Sequence, residues 1–295
     1  MRRRALLQSL LAMPLAAVAG CAEFGPGYAV ADMPRAAPVR WSGSRRRTAL
    51  VLGSGGPRGF AHVGVLKALE AASVEPDLIV GSSAGAIVGA LYAARLPARD
   101  IEQRALDVGV MQLADPALLR PNRFIGRALQ NYVNEATGAR TIEQLPRLFC
   151  AVAAPLGKSS LVAFTAGDTG AAVRASAALP SMFLPTRIGD IDYEDGDMVS
   201  PVPIRVARNL GAERVVAIDV SAFLEDTPDR APESWRARDA ERRAMIDAEA
   251  HDADLLLRIR LPYYAGMSRE YRENLIQLAF TQTREALAKI AVLLS

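Results

Sequence analysis

The chain has few of the side chains that most often bind metal ions. Its 295 residues include two histidines and two cysteines. They form no clustered His/Cys set and no H-E-x-x-H pattern, so we expect no metal site. Aromatic residues make up only 6% of the chain, and the basic residues are scattered without aromatics between them. That distribution does not predict a nucleic-acid partner.

The chain also lacks an apolar run long enough to span a bilayer. Its N-terminal apolar segment, residues 5–18, follows three arginines and is shorter than the roughly 20 residues that a spanning helix needs. This pattern is typical of a secretory signal. Residues 18–21 resemble a bacterial lipobox, which implies a lipid anchor on Cys21. Ala22 favours the periplasmic face of the outer membrane, and because residues 3–7 also resemble a twin-arginine signal, the export route stays open.

Enough chain remains after a signal at residues 1–20 to build one large α/β domain. Residues 21–47 contain Gly, Pro and Ser and predict a flexible tether, so the domain is expected to cover residues 48–295. The formal net charge of +3 includes the three arginines of the signal, which leaves the mature protein close to neutral. Cys150 lies in the apolar run 148–152 and is predicted to be an unpaired core cysteine.

Strand-like and helix-like segments alternate along the rest of the chain. The run at residues 214–220 is mostly apolar and has helical patterns on both sides, which is typical of a buried parallel strand. We therefore predict an α/β fold with a mostly parallel sheet. The predicted strands cover residues 48–52, 77–80, 148–154, 161–165, 214–220 and 255–260.

Three segments outside these strands have helical patterns. Residues 96–144 form a helical insertion that could serve as a lid or acyl-binding wall, or could pack in the core. Residues 225–254 are densely charged and predict a solvated helix or mobile loop, with a lipid head-group surface as the alternative. Residues 270–294 predict one long amphipathic helix that packs on the sheet.

The most informative motif is G-x-S-x-G at residues 81–85. It follows the strand-like run 77–80 and precedes a helical pattern that begins at Ala86. Strand, tight turn and helix are the context of a nucleophile elbow, in which small flanking residues allow a strained serine. The helix then directs its N–H groups toward developing negative charge. Ser83 is therefore the candidate nucleophile.

A glycine-rich loop at residues 53–59 leads from the first strand into a helix. It fails the dinucleotide fingerprint because Arg58 stands where the third glycine belongs, and no Gly-Lys-Ser closes it as a P-loop would require. The loop therefore matches neither of these two nucleotide-binding motifs, and we expect no cofactor. The remaining functional interpretation is an oxyanion hole of backbone N–H groups. A tight turn without a ligand is the alternative.

A third motif, Asp195-Gly196, is ordinary turn chemistry on its own. Together, however, the three motifs resemble the patatin-like phospholipase family. The glycine loop, the elbow and the Asp-Gly pair occur in that family's order. Residues 174–180 also resemble a stretch that precedes the family's aspartate. The resemblance extends from about residue 48 to residue 205.

The resemblance implies a three-layer α/β sandwich and a lipid acyl hydrolase that acts on membrane lipids. Ser83 would attack the acyl ester, Asp195 would accept its proton, and N–H groups around Gly55 and Gly56 would hold the oxyanion. Arg58 would orient the loop or a phosphate head group, with a surface salt bridge as the alternative. The glycines that support these motifs are Gly53, Gly59, Gly81, Gly85 and Gly196.

Two residues depart from the family pattern. Ser54 replaces a glycine of the loop, and Asp197 follows Asp195-Gly196 where the family usually has Gly or Ala. Neither change removes a catalytic group. Asp197 places a second carboxylate near the candidate base, and that proximity favours a raised pKa for one of the pair.

Alternatives to the Ser–Asp dyad remain. Ser83, Asp195 and His251 occur in the chain order of an α/β-hydrolase triad, but His251 precedes the strand at residues 255–260, whereas in that fold the base follows its strand. His62 lies on the first helix near the glycine loop and is expected to be a packing or hydrogen-bonding residue rather than a base. An acyltransferase, a thioesterase and a non-catalytic envelope lipoprotein with a binding role also remain open.

Overall fold

Eight strands form one mixed sheet in the computed structural model, which describes residues 32–41, 46–113, 115–117, 123–264 and 266–294. The strands are β1 Thr48–Leu52, β2 Leu78–Ser82, β3 Leu148–Pro155, β4 Val162–Phe164, β5 Thr186–Ile188, β6 Ile191–Asp195, β7 Arg214–Asp219 and β8 Leu255–Arg258. Their order is β5-β6-β3-β2-β1-β7-β8, and β4 also pairs with β3.

The centre of the sheet is parallel and one side is antiparallel. Strand β1 pairs in parallel with β2 on one side and with β7 on the other. Further out, β2 pairs in parallel with β3, and β7 pairs in parallel with β8. The pairs β3–β4, β3–β6 and β5–β6 are antiparallel. The predicted α/β fold with a mostly parallel sheet is confirmed. The carboxyl ends of β1, β2 and β7 meet at one edge, where open α/β sheets commonly bind ligands.

Helices cover both faces of the sheet. They are α1 Ala61–Ala71, α2 Ala84–Ala93, α3 Ala98–Asp107, α4 Val110–Leu113, α5 Arg127–Ala136, α6 Thr169–Ser176, α7 Ile204–Asn209, α8 Glu233–Glu249 and α9 Arg269–Leu294. Short 3₁₀ helices occur at Gly56–Phe60, Ile142–Gln144, Gly196–Met198, Leu224–Asp226 and Ala250–Asp252.

The fully buried strand β1 shows why the fold has three layers. Alternate side chains of a strand point to opposite faces. Leu50 and Leu52 join a core with α1, α2 and α9, whereas Ala49 and Val51 join a second core with α7 and with Ile246 of α8. A strand that is apolar on both faces requires a helical layer on each side.

The C-terminal helix α9 matches the predicted amphipathic helix, but its main partner is α1 rather than the sheet. Gly64 of α1 explains the difference. A Cβ at Gly64 would lie 2.0 Å from the carbonyl oxygen of Ile276 in α9, so the glycine lets the two helices approach closely.

The predicted insertion at residues 96–144 contains α3, α4 and α5. On α5, Leu129 and Val133 are buried in the larger core. Phe124, just before that helix, packs against Phe183 with their ring centroids 5.8 Å apart. Leu129 and Val133 therefore pack in the interior, as one of the two interpretations expected, and Phe124 is half-buried.

Part of the predicted flexible tether is bound to the domain. The backbone N–H of Arg35 donates to the carbonyl of Ala166, and the N–H of Ala37 donates to the Thr165 hydroxyl. The Trp41 indole donates to the carbonyl of Leu210. The expectation of a free tether is therefore wrong for residues 32–41, because their backbone and side-chain polar groups find partners on the domain.

The predicted signal, residues 1–20, and the candidate lipidation site Cys21 lie outside the described residues. In the part of the chain that the structure describes, no helix combines the length and apolarity needed to cross a membrane. Cys150 is free and buried in β3, as the sequence predicted, and burial raises the pKa of its thiol.

Candidate active site

Ser83 occupies a strained turn between β2 and α2. Its φ is +54° and its ψ is −120°, a conformation that non-glycine residues rarely adopt and that is often found at functional sites. Glycines make the turn possible. A Cβ at Gly81 would lie 2.4 Å from Cα of Ala86, and a Cβ at Gly85 would lie 2.0 Å from the carbonyl oxygen of Leu52.

Sheet register brings Asp195 to Ser83. Strand β3 lies between β2 and β6, with Val152 opposite Ser82 and Ala153 opposite Asp195. The last residues of β2 and β6 therefore lie at neighbouring levels of the sheet. The Ser83 hydroxyl donates to Oδ2 of Asp195 over 2.7 Å.

Gly196 allows this close approach. A Cβ at Gly196 would lie 2.3 Å from the carbonyl oxygen of Val152 and 2.8 Å from the Ser82 hydroxyl. A side chain at this position would push the Asp195 turn away from the elbow. The glycine of the Asp-Gly pair thus has a packing role that the sequence motif alone does not reveal.

The Asp195 carboxyl is fully buried, and its pKa is raised to about 7. Burial is the main cause, and the negative charge of Asp197 is the second. Hydrogen bonds from the Asp197 backbone N–H and the Ser83 hydroxyl, and the positive charge of Arg242, act in the opposite direction. A base with a pKa near neutrality is well matched to accepting a proton from a serine at that pH.

The glycine loop lies against the start of α2. Its anchors are backbone hydrogen bonds from Gly53 N–H to the Ile218 carbonyl and from Ser54 N–H to the Pro201 carbonyl. A Cβ at Gly59 would lie 2.3 Å from Cβ of Ala84, the residue after Ser83. The loop therefore lies directly beside the candidate nucleophile.

Gly55 and Gly56 form the open part of this loop. Among the hydrogen bonds of the described residues, none uses the backbone N–H of Gly55 or Gly56. Gly56 is exposed, has a φ of +52°, and has no atom within 4 Å of the position of a Cβ. These two N–H groups are therefore free to bind a ligand oxygen.

Neither histidine contacts the Ser83–Asp195 pair. His62 is fully buried, and its Nε2 lies 2.7 Å from the carbonyl oxygen of Gly53. Burial lowers the pKa of His62 to about 4, so a neutral imidazole supports the glycine loop by donating to that carbonyl. His251 is exposed, and its Nε2 lies 3.5 Å from Oδ1 of Asp252. Among the described contacts, none joins His251 to Ser83 or Asp195, as a Ser–Asp–His triad would require.

Arg58 supports the loop from its outer side. Its Nη1 donates to the carbonyl of Tyr263 over 2.7 Å, and burial lowers the pKa of its guanidinium. This part-buried contact with a backbone carbonyl favours the loop-orienting interpretation over a surface salt bridge.

Sequence reasoning missed two sets of residues at the site. The fully buried Ser176 accepts a hydrogen bond from the Ser83 backbone N–H over 3.0 Å. Its only signal was its place in the stretch at residues 174–180. On α8, Arg238 and Arg242 bind Asp197. The charged segment at residues 225–254 is thus not only a solvated helix, because one of its faces contacts the site.

Metal-binding side chains are not grouped at this site. Within the described ranges, no cluster of three or more His, Cys, Asp or Glu residues is placed to hold a metal ion.

The site pairs a serine at a strained strand–helix turn with an aspartate two strands away in the same sheet. In a three-layer fold, this pairing defines a class of α/β proteins with a Ser–Asp site. The family model of the patatin-like phospholipases matches residues 50–208, a range that contains the glycine loop, Ser83 and Asp195. The chain belongs to the patatin-like phospholipase family.

Relatives in other organisms are similar to this chain over part of their length. An uncharacterised NTE family protein of Mycobacterium tuberculosis is 34% identical over 216 residues, covering 71% of this chain and 56% of the relative. Human patatin-like phospholipase domain-containing protein 6 is 36% identical over 186 residues, covering 59% of this chain and 13% of the relative. The chain thus spans about half of the mycobacterial relative and a small part of the human one.

Two solved structures share the fold. VipD from Legionella pneumophila aligns with a TM-score of 0.59 at 14% identity, covering 83% of this chain and 67% of VipD. The type III effector protein ExoU aligns with a TM-score of 0.50 at 16% identity, covering 84% of this chain and 54% of ExoU. At these identities the likeness concerns the fold, and it agrees with the predicted three-layer architecture.

Proposed function

We propose that this protein is a serine lipid acyl hydrolase with Ser83 as nucleophile and Asp195 as general base. The observation that carries the proposal is the 2.7 Å hydrogen bond between the Ser83 hydroxyl and the Asp195 carboxyl. It occurs at a nucleophile elbow in a chain of the patatin-like phospholipase family. The relatives named for phospholipase domains agree with acyl esters of lipids as the substrate class.

The proposed reaction has two steps. In the first, Asp195 accepts the proton of Ser83 while the serine oxygen attacks the ester carbonyl, and the tetrahedral intermediate then expels the alcohol to leave a serine acyl ester. The proton passes from Asp195 to the departing alcohol oxygen. In the second step, water attacks the acyl ester with Asp195 again as base. The bond to the Ser83 oxygen then breaks, the proton passes from Asp195 to that oxygen, and the fatty acid is released. An acceptor alcohol in place of water would make the same enzyme an acyltransferase.

Backbone N–H groups supply the proposed oxyanion hole. The unpaired N–H groups of Gly55 and Gly56 lie in the loop that packs against the elbow. The helix α2 begins directly after Ser83, so its positive dipole end also faces the developing negative charge.

We further propose that a lipid on Cys21 holds the enzyme at the periplasmic face of the outer membrane. The support is the signal-like sequence of residues 1–20 and the small residues before Cys21. A membrane anchor would keep the enzyme at the surface that contains its lipid substrates, with membrane lipids serving as both anchor and substrate.

The first test compares the wild type with Ser83→Ala, both expressed without residues 1–21. Each is assayed on short- and long-chain acyl esters and treated with a fluorophosphonate that labels activated serines. We expect the wild type to hydrolyse at least one ester and to take up the label, and the variant to lose both. A folded wild type that neither labels nor hydrolyses any ester would contradict the proposal and favour a binding lipoprotein.

A further inference from the structure

The two residues that depart from the family pattern are in direct contact. The Ser54 hydroxyl, in the glycine loop, donates to Oδ1 of Asp197, which follows the Asp195-Gly196 pair. The two positions are 143 residues apart in sequence, and both side chains are buried. The unusual loop residue and the unusual third residue of the Asp-Gly turn therefore form one unit.

Helix α8 completes this unit with two arginines. Arg242 binds Asp197 through two nitrogens on one side of its guanidinium, with Nε 2.8 Å from Oδ1 and Nη2 2.8 Å from Oδ2. Arg238 donates to Oδ2 over 2.6 Å and to the backbone carbonyl of Asp197 over 2.7 Å. Planar, paired contacts of this kind are the strongest form of arginine–carboxylate recognition.

The same cluster is continuous with the candidate base. The backbone N–H of Asp197 donates to Oδ1 of Asp195 over 2.8 Å, and the other oxygen of Asp195 accepts from Ser83. Any movement of Asp197 would therefore alter a hydrogen bond to the base itself.

A series of hydrogen bonds connects the remaining nitrogen of Arg242, Nη1, to the glycine loop. This Nη1 lies 2.8 Å from Oδ1 of Asp239, and the hydroxyl of Tyr263 donates to the other Asp239 oxygen over 2.9 Å. The carbonyl of Tyr263 then accepts from Arg58. The glycine loop is thus held at both ends, at Ser54 and at Arg58, by groups that converge on α8.

We propose that Asp197 is a positioning residue, and that Arg238 and Arg242 of α8 use it to hold the Asp195 turn and the glycine loop together and to set the charge around the base. The proposal rests on the proposed function, because it assigns these residues to the same reaction. Asp197, Arg238 and Arg242 act through Asp195 and the loop and do not touch the reacting atoms.

Charge gives this role a signature that simple packing does not have. The charged groups that act on Asp195 are Asp197, which disfavours its carboxylate form, and Arg242, which favours it. Although burial alone would raise the pKa of Asp197, Arg242 and Arg238 hold it well below its usual range. Asp197 is therefore ionised beside the base. Removing the negative charge of Asp197 should therefore lower the pKa of Asp195, and removing the positive charge of Arg242 should raise it.

The test measures kcat/KM against pH for Asp197→Asn and Arg242→Gln on a soluble short-chain ester. Asp197→Asn should move the acid limb of the profile to lower pH by about 1 unit, and Arg242→Gln should move it to higher pH by a similar amount. Arg242→Lys, which keeps the charge but loses the paired geometry, should restore the midpoint better than it restores kcat.

Arg243→Gln is the matched control on the same helix. Arg243 binds the buried Asp219 over 3.0 Å, so this variant also breaks a buried ion pair on α8, but not the one that touches the base. It should lower the melting temperature without shifting the pH midpoint. Midpoints that stay at the wild-type value in folded Asp197→Asn and Arg242→Gln, or that shift in the same direction, would overturn the proposal.

A second readout separates this proposal from the proposed function. Titration of the Asp195 carboxyl by carbon-detected NMR needs no turnover. If the wild type proved inactive on every ester, opposite shifts of that titration in the two variants would still support the charge-setting role. Unshifted titrations in an active enzyme would contradict it while leaving the hydrolase assignment intact.

Discussion

At the residue scale, the environment of Asp195 predicts how the reaction depends on pH. A carboxyl can act as a base only after losing its proton, and burial together with Asp197 raises the pKa of Asp195 to about 7. We expect kcat/KM to rise with pH through that value and then to level off. A profile measured with a soluble ester checks this. A rate already constant below about pH 5, where an ordinary aspartate has ionised, would contradict it.

The same pKa predicts an effect on stability. Because the folded-state pKa of Asp195 exceeds the ordinary value of 3.8, the folded protein binds more protons than the unfolded chain between these values. The contribution of Asp195 to the free energy of unfolding therefore declines as the pH rises from about 4 to about 7. Asp195→Asn removes that cost while keeping an acceptor for the Asp197 N–H and a donor toward Ser83.

We accordingly expect Asp195→Asn to lose activity by about 10³-fold or more but to melt at a higher temperature than the wild type at pH 8, by roughly 2–4 °C for each kcal/mol gained. Calorimetry at pH 8 and at pH 4 checks this, because the advantage should fade at the lower pH. Ser83→Ala serves as an inactive control that keeps the carboxyl. If Asp195→Asn is less stable than the wild type at pH 8, the ionised Asp195 carboxylate does not destabilise the folded protein.

The backbone conformation of Gly56 predicts how the proposed oxyanion hole responds to a single added methyl group. Gly56→Ala has room for its Cβ, but a φ of +52° costs an alanine about 1 kcal/mol or more and should tilt the loop N–H groups. We expect kcat to fall at least about tenfold, toward the 10²–10³ that losing an oxyanion donor costs. Kinetics on a soluble ester, with urea unfolding of the same samples, measures both effects.

The matched control is Gly138→Ala. Gly138 also has a positive φ, of +68°, and no atom within 4 Å of its Cβ position, but it lies after α5 and away from the loop. Both alanine variants should lose similar stability, and only Gly56→Ala should lose activity. Equal activity in the two variants would remove Gly56 from the oxyanion hole.

At the scale of elements, the central strands and the elbow were predictable because their signals are local. An apolar run that leads into glycine and a helical pattern identified β1 and β2, and the same adjacency identified Ser83. The strand β7 was identified as an apolar run with helical patterns on both sides. The hairpin β5–β6, which positions Asp195, was missed. Its two-residue turn at Gly189 and Asp190 is a recognised hairpin signal, but its short, half-exposed strands have a weak apolar pattern.

Helix α8 shows why other parts of the site could not be predicted. Its sequence is densely charged, and the charge density alone predicts solvent exposure. Arg238, Arg242 and Arg243 are partly buried because Asp197 and Asp219 lie opposite them in the fold. Pairing between residues more than 20 positions apart depends on tertiary structure and leaves no periodicity in the sequence.

At the scale of the whole molecule, the segment after residue 208 belongs to the same fold as the family match at residues 50–208. Strand β7 pairs with β1 in the parallel half of the sheet, and the carbonyl of Ile218 on β7 anchors the glycine loop. Helix α8 then supplies the arginines that bind Asp197. The geometry of the candidate site therefore depends on elements from both parts of the chain.

The proposed anchor makes the last prediction, which concerns where the whole molecule acts. Full-length protein expressed in a Gram-negative host should fractionate with the outer membrane, whereas Cys21→Ser should lose its lipid and leave that fraction. Cys150→Ser is the matched control, because Cys150 is buried in β3 and its loss should affect stability but not membrane attachment. Measuring ester hydrolysis in every fraction extends the test. If the anchor serves to keep Ser83 at its substrate, Cys21→Ser should retain wild-type turnover of soluble esters and lose turnover of membrane phospholipid, whereas membrane recovery equal to the wild type would refute lipidation at Cys21.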